Sequence, residues 1–116
     1  MIFYLRDYKS IVIDQPVNGL IIPIAHIYDS FNITSITGTI MGSGTVDFNL
    51  EIRTNLNSTG SNVFNSSSTA TTAGVVFGSS VLQNVSVDHQ YLVFKCTGTT
   101  GTPNQIVILI QYYRLF

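Results

Sequence analysis

A chain of 116 residues with a net charge of −1 is the size of one domain. Its five scattered Lys and Arg residues form no basic patch, which argues against nucleic-acid binding. Charged residues are 9% and hydrophobic ones 45%, yet no apolar run approaches the roughly 20 residues of a membrane-spanning helix, and the single cysteine, Cys96, excludes an internal disulfide framework.

In chain order, Met1-Ile2-Phe3-Tyr4-Leu5-Arg6-Asp7 lacks the basic start, long apolar stretch and cleavage site of a signal peptide. The expectation is a chain made in the cytoplasm without export, its Asn-X-Ser/Thr triplets at Asn32, Asn57, Asn65 and Asn84 free of sugar. Strands are expected at Ser10–Asp14, Leu20–Tyr28 and Ile33–Ile40, with Gly38 marking a bend or bulge. Thr45–Arg53 alternates strictly: Val46, Phe48, Leu50 and Ile52 face a core, while Asp47, Asn49, Glu51 and Arg53 face solvent. The turn Gly42-Ser43-Gly44 is expected to join the last two of these as a hairpin. Asn55–Gly74 is a Ser/Thr/Asn/Gly tract, read either as a solvated loop or weak edge strand, or as a contact surface. Short strands follow at Val63–Phe64, Val75–Phe77 and Val81–Val87. Gln90–Thr97 and Gln105–Tyr113 then form a second expected hairpin across Gly98–Pro103. No stretch keeps a helical apolar spacing. The pattern predicts an all-β single domain over residues 1–116, an antiparallel two-sheet sandwich, jelly-roll-like, with about eight strands.

Groups for catalysis are sparse. Asp88 and His89 are adjacent, so in a strand they would point to opposite faces; a turn before Tyr91 is the expected setting. His26 lies in the apolar run Ile24–Tyr28 and reads as a satisfied histidine beside core strands. Two distant histidines and one cysteine offer no zinc site. Asp47 and Glu51 share a strand face but read as solvated. Gly38–Gly44 superficially matches a phosphate loop, but a strand follows where the N-terminus of a helix is needed. The expectation is no enzyme, no metal and no cofactor. Tyr4, Tyr8, Tyr28, Tyr91, Tyr112 and Tyr113 could stack on sugar rings, which keeps glycan binding as a competitor.

The C-terminal strand poses the sharpest question. Ile106, Ile108, Ile110 and Tyr112 share one face, and Val107, Leu109 and Tyr113 share the other. A strand apolar on both faces needs cover on both. The expected cover is another copy of the chain or a larger wall of protein, with apolar terminal arms, Met1–Tyr8 and Tyr112–Phe116, lying across a neighbour. The expected interface residues are Ile2, Tyr4, Val107, Leu109, Tyr113, Leu115 and Phe116, and the expected assembly is a homo-oligomer, a trimer.

Residues 44–113 carry a "GxVxFxLxI" strand, a Ser/Thr/Ala-rich middle, a Tyr-Leu-Val-Phe strand and a "GTxGTPxx" ending that continues through alternating apolar residues into Tyr. This stretch resembles small virion proteins of tailed bacteriophages, both head decoration proteins and tail-fibre tips. It departs from the fibre pattern where Asp88-His89 replaces a common Gly-Asp. The resemblance implies a structural role in the virion. The expected part is a capsid decoration protein contacting the major capsid protein or other virion proteins; the alternative is a fibre tip that binds a host surface glycan. It transfers no site residues.

Overall fold

The computed structural model describes residues 4–78, 81–83 and 85–115. Ten strands follow one another without a helix among the described residues: β1 Tyr4–Asp14, β2 Ile21–His26, β3 Ser30–Gly42, β4 Thr45–Arg53, β5 Ser61–Asn62, β6 Ser68–Ala70, β7 Val75–Phe77, β8 Ser86–Asp88, β9 Tyr91–Thr100 and β10 Pro103–Leu115. One sheet runs β1-β10-β3-β7, with β8 also paired to β3; the other runs β2-β9-β4-β5, with β6 also paired to β4. Every pairing between these strands is antiparallel.

β5 and β6 flank the same edge of β4, and β7 and β8 the same edge of β3, so each couple is one interrupted strand. Counted that way, the fold has eight strands, four per sheet, with the chain crossing between sheets in the jelly-roll order. The expected architecture is thus observed. The Ser/Thr/Asn tract at 55–74 supplies β5 and β6, two weak edge strands. The expected strand at Val63–Phe64 is displaced: β5 ends at Asn62, and Phe64 makes an isolated bridge to Leu82.

Neither expected hairpin exists. β3 and β4 lie in different sheets, as do β9 and β10. The two chain stretches instead turn the corner of the sandwich side by side. Pro103 stands opposite Gly42, Thr45 stands opposite Thr100, and between them Ser43 and Thr102 each donate a backbone N–H to the other's carbonyl, at 3.3 and 3.0 Å. The backbones meet too closely for side chains. A Cβ on Gly44, whose φ is +90°, would lie 1.9 Å from the Thr100 carbonyl oxygen, and one on Gly101 (φ +67°) would lie 2.9 Å from the Gly44 Cα.

Gly38 is not the bulge in β3. The register slips at Thr34, between the pairs Gln111–Ser35 and Tyr112–Ile33. Gly38 serves close packing instead: a Cβ there would touch Ala70 and the Phe48 ring at 3.2 Å. The core between the sheets is apolar, drawn from Ile36 and Ile40 of β3, Ile106, Ile108 and Ile110 of β10, and Leu50, Leu92 and Phe94 of the second sheet. Phe48 is its centre, stacked on Phe94 at 5.8 Å and met edge-on by Phe64 at 5.5 Å and Phe77 at 6.0 Å. Cys96 is buried in this core as a small hydrophobe, and burial pushes its thiol pKa up, which suppresses the reactive thiolate.

Candidate functional site

β10 sits between β1 and β3, which fixes what each of its faces meets. Ile106, Ile108, Ile110 and Tyr112 are buried in the core. The opposite side points out of the sandwich, and its side chains stand in rows across the sheet: Val12, Val107 and Thr39; Ser10, Leu109, Thr37 and Val76; Tyr8, Gln111 and Ser35. Val107, Leu109 and Tyr113 are half-buried there, flanked by side chains of β1 and β3. Among the described residues no second layer lies over them. Tyr8 is 65% exposed and Val76 69%, with Val12 and Met41 also open to solvent.

Charge is confined to the ends of this face. At one end Arg6 donates a 2.7 Å hydrogen bond to the Tyr113 hydroxyl and lies 5.3 Å from that ring's centroid. At the other end Gln105 donates to Asp14 at 2.6 Å. Between them the rows hold Thr, Ser, Val, Leu, Tyr and Gln, an uncharged surface.

Of the other expected interface residues, Tyr4 and Leu115 stand opposite each other in the β1–β10 register, so the two segments expected as arms pair with one another over Tyr4–Tyr8 and Gln111–Leu115. Ile2 and Phe116 lie outside the described residues.

The outer side of the second sheet is different, and it overturns the expected solvated face of β4. Glu51 is 2% exposed and Asn49 is buried as well, because the chain after Arg53 folds back over β4 as far as Phe64. Glu51 accepts hydrogen bonds from Arg53 Nε at 3.0 Å and from the Gly60 N–H at 2.9 Å, and Lys95 Nζ lies 3.3 Å from its other oxygen. Burial alone would raise the Glu51 pKa; hydrogen bonds from Arg53, Gly60 and Lys95, with the Arg53 charge, outweigh it and hold the carboxyl below its ordinary value. Asn49 accepts from the Phe64 N–H at 3.1 Å. This cluster clamps the chain's own loop onto the sheet.

The side chains considered for chemistry are dispersed. His26 is exposed rather than set among core strands; its ring stacks on Tyr91 at 4.1 Å and tilts against Tyr28 at 4.4 Å. Asp88 and His89 lie in the expected turn before Tyr91, and there they touch, because β8 ends at Asp88 and His89 turns at a φ of +52°. The pair sits in an exposed turn, where the hydrogen bond from His89, with one from Ser30, lowers the Asp88 pKa. Among the described residues no three His, Cys, Asp or Glu side chains gather as a metal site would require. A shallow cleft of about 190 Å³ opens at one end of the sandwich, lined by Lys9, His26, Tyr28, Asp29, Tyr112 and Arg114 among others. Arg114 donates to Asp29 across it at 2.6 Å, and Tyr28 stands 71% exposed at its edge.

Compared with known proteins, the sequence matches no family model and no curated protein. Solved structures do match over nearly the whole chain. A chain in the acid-stable capsid of Helicobacter pylori bacteriophage KHP30 is 8% identical, with a TM-score of 0.62 over 97% of this chain and 93% of that one. A chain in the capsid of Ralstonia phage GP4 is 20% identical, with a TM-score of 0.63 over 97% of this chain and 84% of that one. A chain of Bacillus endospore appendages, described as disulfide-linked pili, is 12% identical, with a TM-score of 0.54 over 98% and 89%. At such identities the shared property is the backbone: this chain has a jelly-roll sandwich of the kind found in chains of phage capsids.

Proposed function

We propose that the chain is a structural protein of a tailed-phage virion, and within it a decoration protein seated on the outside of the head. The observation that carries this reading is the outer face of the β1-β10-β3-β7 sheet. It is rich in Val, Thr and Ser around Leu109, uncharged between Arg6 and Asp14, and uncovered among the described residues. A surface of that chemistry gains by leaving water, and a shell of repeated subunits offers a broad wall to receive it. The fold shared with capsid chains of two phages supports the same reading. In this role Val107, Leu109 and Tyr113 meet the shell, and no chemical step is required of the protein.

The test is binding of the purified chain to heads of its own phage stripped of outer proteins, followed by sedimentation of the heads. Wild-type chain is expected to co-sediment in many copies per head. A Leu109→Lys, Val76→Lys double variant is expected to remain in the supernatant while keeping its β-sheet circular dichroism. Equal co-sedimentation of that variant would remove this face from the argument, and failure of the wild-type chain to bind heads at all would remove the decoration role.

The cleft favours a second reading, a glycan-binding fibre tip. An exposed Tyr28 ring beside the Asp29–Arg114 pair is the chemistry that holds a sugar ring, an apolar face to stack on and charged groups to bond hydroxyls. Retention on a glycan array that is lost in Tyr28→Ala, together with a few copies per particle, is the result that would favour it.

A further inference from the structure

Four strand edges bound the two sheets, and three of them are blunted. The β2 edge contains Pro23, which has no N–H to offer, and slips register between Pro23 and Ala25. The edge beyond β4 is broken into β5 and β6, of two and three residues. The edge beyond β3 is broken into β7 and β8, of three residues each. β1 alone of the four is long. Its eleven residues pair with β10 in continuous register from Tyr4 to Asp14, with no proline and no bulge. Along its other side alternate N–H and C=O groups point away from the sheet, and among the described residues no strand receives them. A straight open edge of this length is a template for another strand.

We propose that the strand it receives is β1 of a second copy, antiparallel, about a two-fold axis through Tyr8. The charge pattern selects the partner and the register. Centred on Tyr8, the pairing sets Asp7 of each copy opposite Lys9 of the other, twice over, with Arg6 opposite Ser10 and Leu5 opposite Ile11. Centred on Asp7 or Lys9, it sets like charges face to face. Centred on Ser10, it puts Lys9 against Ile11 and Asp7 against Ile13, charge against apolar side chains. Directly opposed residues on one face interact most strongly, so the Tyr8 register is the favourable one. Within its own chain Lys9 has no ion pair among the described residues, and Asp7 accepts hydrogen bonds from the Tyr8 N–H at 2.8 Å and, from β10, the Tyr112 hydroxyl at 3.5 Å, with the Arg114 charge nearby. The axis is perpendicular to the sheet, so the outer faces of both copies merge into one ten-stranded surface, with the two Tyr8 rings at its centre.

This pairing uses an edge, whereas head docking uses a face, so the two proposals fail separately. Sedimentation equilibrium of the isolated chain is expected to give the mass of two chains across the micromolar range. Asp7→Lys is expected to raise the dimer dissociation constant about tenfold, since two attractive pairs become repulsive, and Asp7→Lys combined with Lys9→Asp is expected to restore it. In a Cys96→Ser background, Tyr8→Cys is expected to cross-link into a disulfide dimer under mild oxidation, while Val12→Cys, which faces Tyr4 of the partner, is not. A wild-type mass of one chain or of three overturns the proposal. So does a charge swap that fails to restore association, or cross-linking of Val12→Cys in place of Tyr8→Cys.

Discussion

At the scale of single residues, Glu51 is the most exacting position in the molecule. It is a carboxylate on the outer side of a sheet, yet buried, with Arg53, Lys95 and the Gly60 N–H all directed at it. Replacing it with alanine leaves the largely buried Arg53 guanidinium and the Gly60 N–H without their acceptor, while Lys95 turns to water, with an expected loss of about 3 kcal/mol in urea unfolding. The pH dependence follows from the direction of its shift. Folded Glu51 titrates below the ordinary value of 4.5, so its stabilisation is complete above that value and fades as pH falls through the lower folded one. Wild-type unfolding midpoints are expected to drop in that acid range, and Glu51→Gln is expected to flatten the drop. This role was not legible in the sequence. Asp47, Asn49, Glu51 and Arg53 alternate with a core face as solvated residues do, and the loop that covers two of them carries no periodic signal of its own.

At the scale of elements, alternation within a strand was legible and the choice of partner strand was not. Val46, Phe48, Leu50 and Ile52 of β4 and Ile106, Ile108 and Ile110 of β10 all reach the core their spacing assigned, because side-chain period is a local property. A Gly-rich turn between two strands is equally compatible with a hairpin and with a corner. Here two such turns, at Gly42–Gly44 and Gly101–Pro103, zip against each other and carry both chains from sheet to sheet, a contact between segments far apart in sequence. Gly44→Ala is therefore expected to cost at least about 2 kcal/mol, through a left-handed φ and a collision with the Thr100 carbonyl together. Phe48→Ala, which removes the ring shared by Phe64, Phe77 and Phe94, is expected to cost about 4 kcal/mol. Thermal unfolding followed by circular dichroism measures both. The outer face of β10 was legible as apolar, and the structure adds that β1 and β3 shelter it from the sides only.

At the scale of the whole molecule, neither sheet can form from neighbours in sequence. β1 pairs with β10, β2 with β9 and β3 with β10, so nearly every ladder closes a long loop. Refolding is expected to take milliseconds to seconds; completion within microseconds in a dilution-jump experiment would contradict this topology. The β1–β10 pairing has a further consequence for synthesis. β1 leaves the ribosome while β10, its one strand neighbour among the described residues, is still untranslated, so Ile11 and Ile13 travel uncovered until β10 is made. Chaperone capture on stalled nascent chains would therefore concentrate on β1 and cease once β10 emerges.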